Sequence, residues 1–294
     1  IAMLPDNRKN LLQGKNMREF AAALILSRLK GVGAATFRRI VEEHGLPSAA
    51  LRHWRSYLKT EPVLTAVSVK KASTRSSTAT AIKLVRSGEL LGWYFSQPGY
   101  PLQLADLGEP PPVIFASSLI PKRRFAAVVG ARSIEPETAA LTESICRCLI
   151  AQGFAIVSGG ASGVDTVAHR TTLNSGAYTL AVLGTGLDVI YPAANADLFA
   201  DIRQNGALMT ELLPGARPVR SFFPTRNRII AAMAEIVVIV QAAAGSGSMI
   251  TASWASRLER KVMTVAPPSG KAGSAAWAGN VALMNSGVKP FLPG

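Results

Sequence analysis

The sequence predicts an α/β fold: a doubly wound, mostly parallel sheet preceded by a small all-α domain. Three observations carry this. Short, continuously apolar and β-branched runs alternate with helical patterns over the last two thirds of the chain. The turns that follow those runs are glycine-rich. The first third instead shows helical spacing throughout, and it is strongly basic. Apolar runs without polar alternation mark strands covered on both faces, which is the condition of a parallel sheet between two helical layers.

The chain divides into a polar lead over 1–16, a basic helical domain over 17–90 and an α/β domain over 91–294. From Met17, Phe20, Leu24, Leu26 and Leu29 recur at helical spacing. Gly31-Val32-Gly33 breaks that helix and a second starts near Ala34, carrying Phe37, Ile40 and Val41 on one side. Such a glycine turn between helices either offers amides to a DNA phosphate, as helix–hairpin–helix elements do, or is a plain αα-corner. Leu51 to Arg86 reads as mostly helical, with a loop over Ser73–Thr80, and carries Arg52, Arg55, Lys59, Lys70, Lys71, Arg75, Lys83 and Arg86.

Strands are expected at Phe125–Val129, Phe154–Val157, Thr179–Leu183, Leu208–Glu211, Ile236–Val240 and Val262–Val265. Helices are expected between them, at Pro136–Gln152, Val164–Asn174, Ala194–Gln204, Thr225–Ala234 and Ser248–Arg260.

Charge points to the class of partner. The chain has 32 basic and 18 acidic residues, a formal net of +14. Residues 1–90 hold 16 Lys/Arg against 6 Asp/Glu, a net of +10, so the front third is the stronger attractor for a polyanion. Cys146 and Cys148, two apart on a helix, do not face one another and read as small apolar side chains in a reducing compartment. His44, His53 and His169 are too scattered for a zinc site. Ile1–Arg8 lacks the pattern of a secretory leader, and Ile229–Ala244, interrupted by Glu235, is too short for a membrane span. A cytoplasmic protein without membrane, metal or cofactor is the expectation.

In a doubly wound sheet, ligands lie beyond the carboxyl ends of the strands. Four glycine-rich crests occur there: Gly130-Ala131-Arg132-Ser133, Ser158-Gly159-Gly160-Ala161-Ser162-Gly163, Gly184-Thr185-Gly186 and Gly245-Ser246-Gly247-Ser248. Glycine permits close approach of backbone to ligand, and the following helix N-termini suit phosphate. G-x-G-x-x-G is absent after the first strand, and Ser158 stands where an acidic residue would hold a ribose, which argues against a redox dinucleotide role. Arg132 at the first crest reads as a phosphate clamp. Phe222 and Phe223, ahead of Thr225-Arg226-Asn227-Arg228, either stack on bases or pack in the core. Asp165 and His169, four apart on a helix, are expected to meet as a hydrogen-bonded pair. No nucleophile, metal set or second carboxylate joins them in sequence, so they read as pocket-shaping and not as an acid–base pair.

These motifs resemble the DprA/Smf family. The matching stretches are VVGAR (Val128–Arg132), SGGASGVDTVAH (Ser158–His169), LGTGLDVIYPAAN (Leu183–Asn195), FPTRNRIIA (Phe223–Ala231), SGSMITA (Ser246–Ala252) and GNVALMNSG (Gly279–Gly287). Upstream, GYPLQL, PPPVIF and LSRLKGVG are similar to its entry segment and helical domain. The resemblance implies an extended Rossmann-like domain behind a helix–hairpin–helix or SAM-like one. It implies non-catalytic binding of single-stranded DNA, homodimerisation, and hand-over of the strand to a RecA-type recombinase in transformation. By motif, the DNA or phosphate contacts would be Gly130, Arg132, Ser158, Gly159, Gly160, Arg226, Asn227, Arg228, Gly247 and Ser248. Ser133 and Ser162 belong to the same crests, and Phe222 and Phe223 are the stacking candidates. Ala193 stands where the family often has a basic residue, Pro268 where glycine is usual, and the sequence to Gly294 includes no winged-helix appendix. The rival class is an enzyme akin to lysine-decarboxylase-like phosphoribohydrolases. Ala242–Ala252 lacks the catalytic glutamate of their signature.

Overall fold

The computed structural model describes residues 14–57 and 76–292. Most of the polar lead, the side chain of Arg55, and Lys59, Lys70, Lys71 and Arg75 lie outside the described residues. The described residues fall into two compact units, one within 1–117 together with 211–215, the other within 118–210 together with 216–294.

In the first unit, α1 (Gly14–Leu26), α2 (Ala34–His44), α3 (Pro47–Tyr57) and α4 (Ser76–Ser87) precede an antiparallel pair, β1 (Leu91–Tyr94) and β2 (Val113–Ala116). The apolar face of α1 is buried, and Phe20 meets Phe115 edge-on at 6.1 Å between centroids. Glu19 is also buried, and its carboxylate accepts from the Ser48 amide at 2.8 Å and the Ser48 hydroxyl at 2.6 Å. A buried carboxylate thereby satisfies free donors in the first turn of α3. The predicted glycine turn is present, with Gly31 at φ +87° and α2 beginning after Gly33. The loop expected at Ser73–Thr80 differs: α4 already starts at Ser76, where Thr78 and Ala81 are buried, so packing overrides the weak helix propensity of Ser and Thr.

The second unit alternates strand and helix: β3 (Phe125–Val129), α5 (Pro136–Ala151), β4 (Ala155–Ser158), α6 (Val164–Asn174), β5 (Thr179–Val182), α7 (Ala196–Asn205), β6 (Ala207–Thr210), α8 (Phe222–Met233), β7 (Ile236–Ile239), α9 (Gly247–Arg257), β8 (Lys261–Thr264) and α10 (Ala278–Asn285). Its strands run in the order β6-β5-β4-β3-β7-β8, with β3–β4, β3–β7, β4–β5, β5–β6 and β7–β8 all paired in parallel. The chain winds outward from β3 in one direction through β4, β5 and β6, and in the other through β7 and β8. The order reverses between β3 and β7, which makes the crests after these strands the topological switch point. Ala126, Val128, Ile145, Leu149, Ile156, Val164 and Val238 form one buried cluster, as continuously apolar strands between helices require.

One boundary moves in a way that matters. α8 begins at Phe222, not at Thr225, so Pro224 falls inside its first turn. Proline is tolerated there because the first amides of a helix have no intrahelical acceptor. Cys146 and Cys148 are both free thiols, and burial pushes the Cys146 thiol up to about 12. None of the described helices is long and apolar enough to cross a membrane.

Candidate nucleic-acid interface

The site is built where β3, β4, β5 and β7 end. The first two crests interlock through the backbone: the Val164 amide donates to the Ala131 carbonyl at 3.1 Å. Gly163, at φ +76°, lies so close to Ala131 that a Cβ there would collide with its carbonyl. Ser158 is fully buried, and its hydroxyl donates to the Val128 carbonyl at 2.7 Å, bracing β4 against β3.

Arg226 is the hub of the crest. It is 6 % exposed. Nη1 donates to the Gly159 carbonyl at 2.6 Å and also to the Val182 carbonyl, while Nε donates to Asn227 Oδ1 at 3.1 Å. Asn227 passes the chain onward, its Nδ2 donating to the Gly247 carbonyl at 2.9 Å. One adjacent pair of side chains therefore ties the ends of β4 and β5 to the start of α9. Burial lowers the Arg226 pKa to about 10; Asp165 opposes that shift and Arg132 adds to it. Near neutral pH the group remains a cation.

Asp165 and His169 do not form the hydrogen-bonded pair that their spacing predicts. The Asp165 carboxylate turns toward the second crest and accepts from the amides of Gly159 at 3.1 Å and Ala161 at 3.2 Å. Burial pushes its pKa up, against the charge of Arg226 and the crest amides. The His169 Nδ1 meets Thr179 Oγ1 at 2.7 Å, and that hydroxyl itself donates to the Ile156 carbonyl at 3.1 Å. His169 Nδ1 is thus the donor and Nε2 carries the lone pair, buried without a hydrogen-bond partner. Burial, with Arg226 nearby, lowers the His169 pKa to about 3. The crest amides outcompete the imidazole because they converge on one point at the start of α6, where a carboxylate is favoured.

The exposed rim differs in character. Arg132 is exposed, and its guanidinium stands 5.4 Å from the centroid of the half-buried Phe223 ring. Phe223 in turn meets Tyr191 at 5.4 Å between centroids. Tyr191 is 40 % exposed and Ile190 52 %, so this end of the rim is apolar and accessible. Phe222 and Arg228 are half-buried on α8, and Ser133 is exposed beside Arg132. At the start of α9, Ser246 and the buried Ser248 share a hydrogen bond of 2.9 Å between hydroxyls. Gly130, Gly160 and Ser162 line the turns themselves.

Sequence reasoning missed four contributors. Arg217 and Arg220 are exposed on the segment leading into α8, which the Gly186 amide anchors to the β5 crest by donating to the Ala216 carbonyl at 2.9 Å. Their signal was two further arginines just before the FFPTRNR motif. Asn195, 4 % exposed, donates from Nδ2 to the Gly160 carbonyl at 3.0 Å and to Thr166 Oγ1 at 2.8 Å. Asn280 is fully buried; its Oδ1 accepts from the Ala242 amide at 2.8 Å and its Nδ2 donates toward the carbonyls of Ile239 and Val240. Each asparagine fixes a crest from the far end of a long loop, a pairing no local pattern announces.

The resulting surface has an exposed guanidinium, an aromatic face and several helix N-termini, over an internally satisfied polar layer. It can hold an anion beside a flat ring. The Asp165 carboxylate and His169 Nδ1 are spent on internal bonds, and His169 Nε2 is buried.

Known proteins resemble this chain in sequence and in fold. The family model described as DNA recombination-mediator protein A matches residues 92–292. Protein Smf of Synechocystis is 38 % identical over 174 residues, covering 57 % of this chain and 44 % of that protein. DNA processing protein DprA of Streptococcus pneumoniae is 38 % identical over 168 residues, covering 56 % and 59 %. The chain spans about half the length of the curated relatives it matches. Among solved structures, DprA from Streptococcus pneumoniae superposes with a TM-score of 0.65 at 27 % identity, covering 88 % of this chain and 95 % of that one. DprA from Helicobacter pylori, described in terms of its single-stranded DNA binding mode, superposes with a TM-score of 0.60 at 26 % identity, covering 69 % and 92 %. With two thirds of its length matched in order, the chain belongs to the DNA recombination-mediator protein A family.

Proposed function

We propose that this chain binds single-stranded DNA along the crest without catalysing a reaction on it. The observation that carries the reading is Arg132 standing exposed over Phe223. A phosphate on the guanidinium places the adjoining base within reach of the aromatic face, and stacking tolerates any base sequence. The N-terminus of α9 and the turns at Gly130 and Gly160 extend the phosphate track. Arg226, Asn227 and Ser158 act beneath it, holding the turns in place. Arg217 and Arg220 add positive charge at one end.

The reading extends to biology through the relatives. In it the chain shields single strands, helps load a RecA-type recombinase in transformation, and works as a cytoplasmic homodimer. The name and ligand of the Helicobacter pylori protein support the DNA part of this. The turn of Asp165 to the crest amides and of His169 to Thr179, in place of a pairing with each other, favours a binding role over nucleotide hydrolysis.

Binding of labelled oligonucleotides at several salt concentrations tests the reading. Single strands are expected to bind more tightly than duplex of the same length. The logarithm of the binding constant should fall linearly with the logarithm of salt, at about 0.7 per phosphate neutralised. Equal affinity for the two forms, or release of free base from nucleotides, contradicts it.

A further inference from the structure

The opposite ends of the same strands carry a second concentration of positive charge. Lys122, Arg123 and Arg124 lead into β3, and Arg260 and Lys261 stand where β8 begins. The backbone sets them in a row. The Ala155 amide donates to the Arg124 carbonyl at 2.9 Å, the Glu235 amide to the Phe125 carbonyl at 2.8 Å, and the Lys261 amide to the Glu235 carbonyl at 3.1 Å. The starts of β4, β3, β7 and β8 therefore lie side by side, roughly 15 Å across at about 4.8 Å per strand. Arg123 extends the row toward β5, its guanidinium 5.7 Å from the centroid of the Tyr178 ring.

Lys122, Arg123, Arg124 and Lys261 are all exposed. Two carboxylates share the edge, Glu259 and Glu235, and Glu235 pairs with Arg124 at 2.9 Å. Four exposed cations and the half-buried Arg260, whose guanidinium donates to the Ala232 carbonyl at 3.2 Å, against two carboxylates leave the edge net positive. Like charges side by side repel, and a solvated surface gains nothing from gathering them. An extended polyanion relieves that repulsion along its whole length, and a linear row over several strands matches a backbone better than it matches a compact anion. The half-buried Tyr178 ring beneath Arg123 holds that guanidinium at the edge.

We propose that this basal edge is a second nucleic-acid surface, separate from the crest, so that one chain holds two segments at once. A strand of five residues is about 17 Å long, so the edges are distinct contact zones. The inference does not depend on the crest reading.

The test compares Arg123→Glu/Lys261→Glu with a charge-matched control, Arg147→Glu/Arg170→Glu, whose residues are exposed on α5 and α6. Both are placed in the wild-type chain and in an Arg132→Ala/Phe223→Ala background, and binding of a long oligothymidylate is measured across salt. The basal pair is expected to weaken binding at least about tenfold and to lower the salt slope by about 1.4, two phosphates' worth, in both backgrounds. The control should change neither by more than its long-range charge effect. Should charge reversal prevent folding, Arg123→Gln/Lys261→Gln is expected to give about half the effect on affinity. Basal and control pairs that behave alike overturn the proposal, whatever the crest variants do.

Discussion

Arg226 donates to the carbonyl of Gly159 at 2.6 Å, and the guanidinium occupies the space that a side chain at position 159 would need. A Cβ on Gly159 would lie 2.5 Å from Arg226 Nη2. Gly159→Ala is therefore expected to destabilise the fold by about 1–3 kcal/mol through forced displacement of the buried arginine. Urea denaturation reads this directly. A wild-type midpoint would show that the arginine can move aside freely.

Removing the arginine separates scaffold from contact. Arg226→Ala leaves the Gly159 and Val182 carbonyls short of donors and Asp165 without a nearby cation. A loss of about 3–5 kcal/mol is expected, as for a buried charge deprived of its partner. Because Arg226 lies under the rim, the DNA that the variant still binds should show an unchanged salt slope. A slope lowered by about 0.7 would instead make Arg226 a direct phosphate contact.

The buried imidazole predicts an acid-side loss of stability. His169 takes a proton near pH 6.5 when unfolded but only near about 3 in the folded chain. Between these values the unfolded state binds more protons, so stability falls as pH falls, by at most about 1.4 kcal/mol per pH unit. Asp165, whose pKa is raised by burial, gives an opposite and partly offsetting trend. His169→Gln removes the histidine's share, and its stability should vary less steeply with pH than the wild type's over that range. Parallel curves for the two proteins would refute the assignment.

Asn280 reaches across from α10 to hold the strand end after β7. Besides the two carbonyls and the Ala242 amide, its Nδ2 lies 3.0 Å from Thr264 Oγ1. Asn280→Ala should cost about 2–4 kcal/mol, since several buried groups lose a partner together. It should also weaken DNA binding by freeing the Gly245–Ser248 turn. Faster amide exchange at Ala242 and in that turn, relative to the rest of the sheet, is the signature; uniform exchange would disprove the local role.

Much of this was legible before the structure. Phe125–Val129 and Val164–Asn174 appear at their predicted bounds because an unbroken apolar run and a glycine-to-helix transition are local signals. The crest glycines marked the turns that close β3, β4, β5 and β7. What could not be read was which charged groups face outward. Arg132 and Arg226 look alike in sequence, yet one is exposed and the other is spent on carbonyls 67 and 44 residues away. Asp165 likewise satisfied a helical-spacing rule for meeting His169 but took two amides of the preceding turn. Tertiary partners decided both cases.

The central claim is that the Arg132–Phe223 rim grips a single strand, and a double-mutant cycle tests it most directly. With a short oligothymidylate across salt, Arg132→Ala should lower the slope by about 0.7. Phe223→Ala should leave the slope alone and cost about 1–3 kcal/mol of binding. The pair should be non-additive because the two groups touch. Wild-type affinity and slope in both single variants would contradict the account.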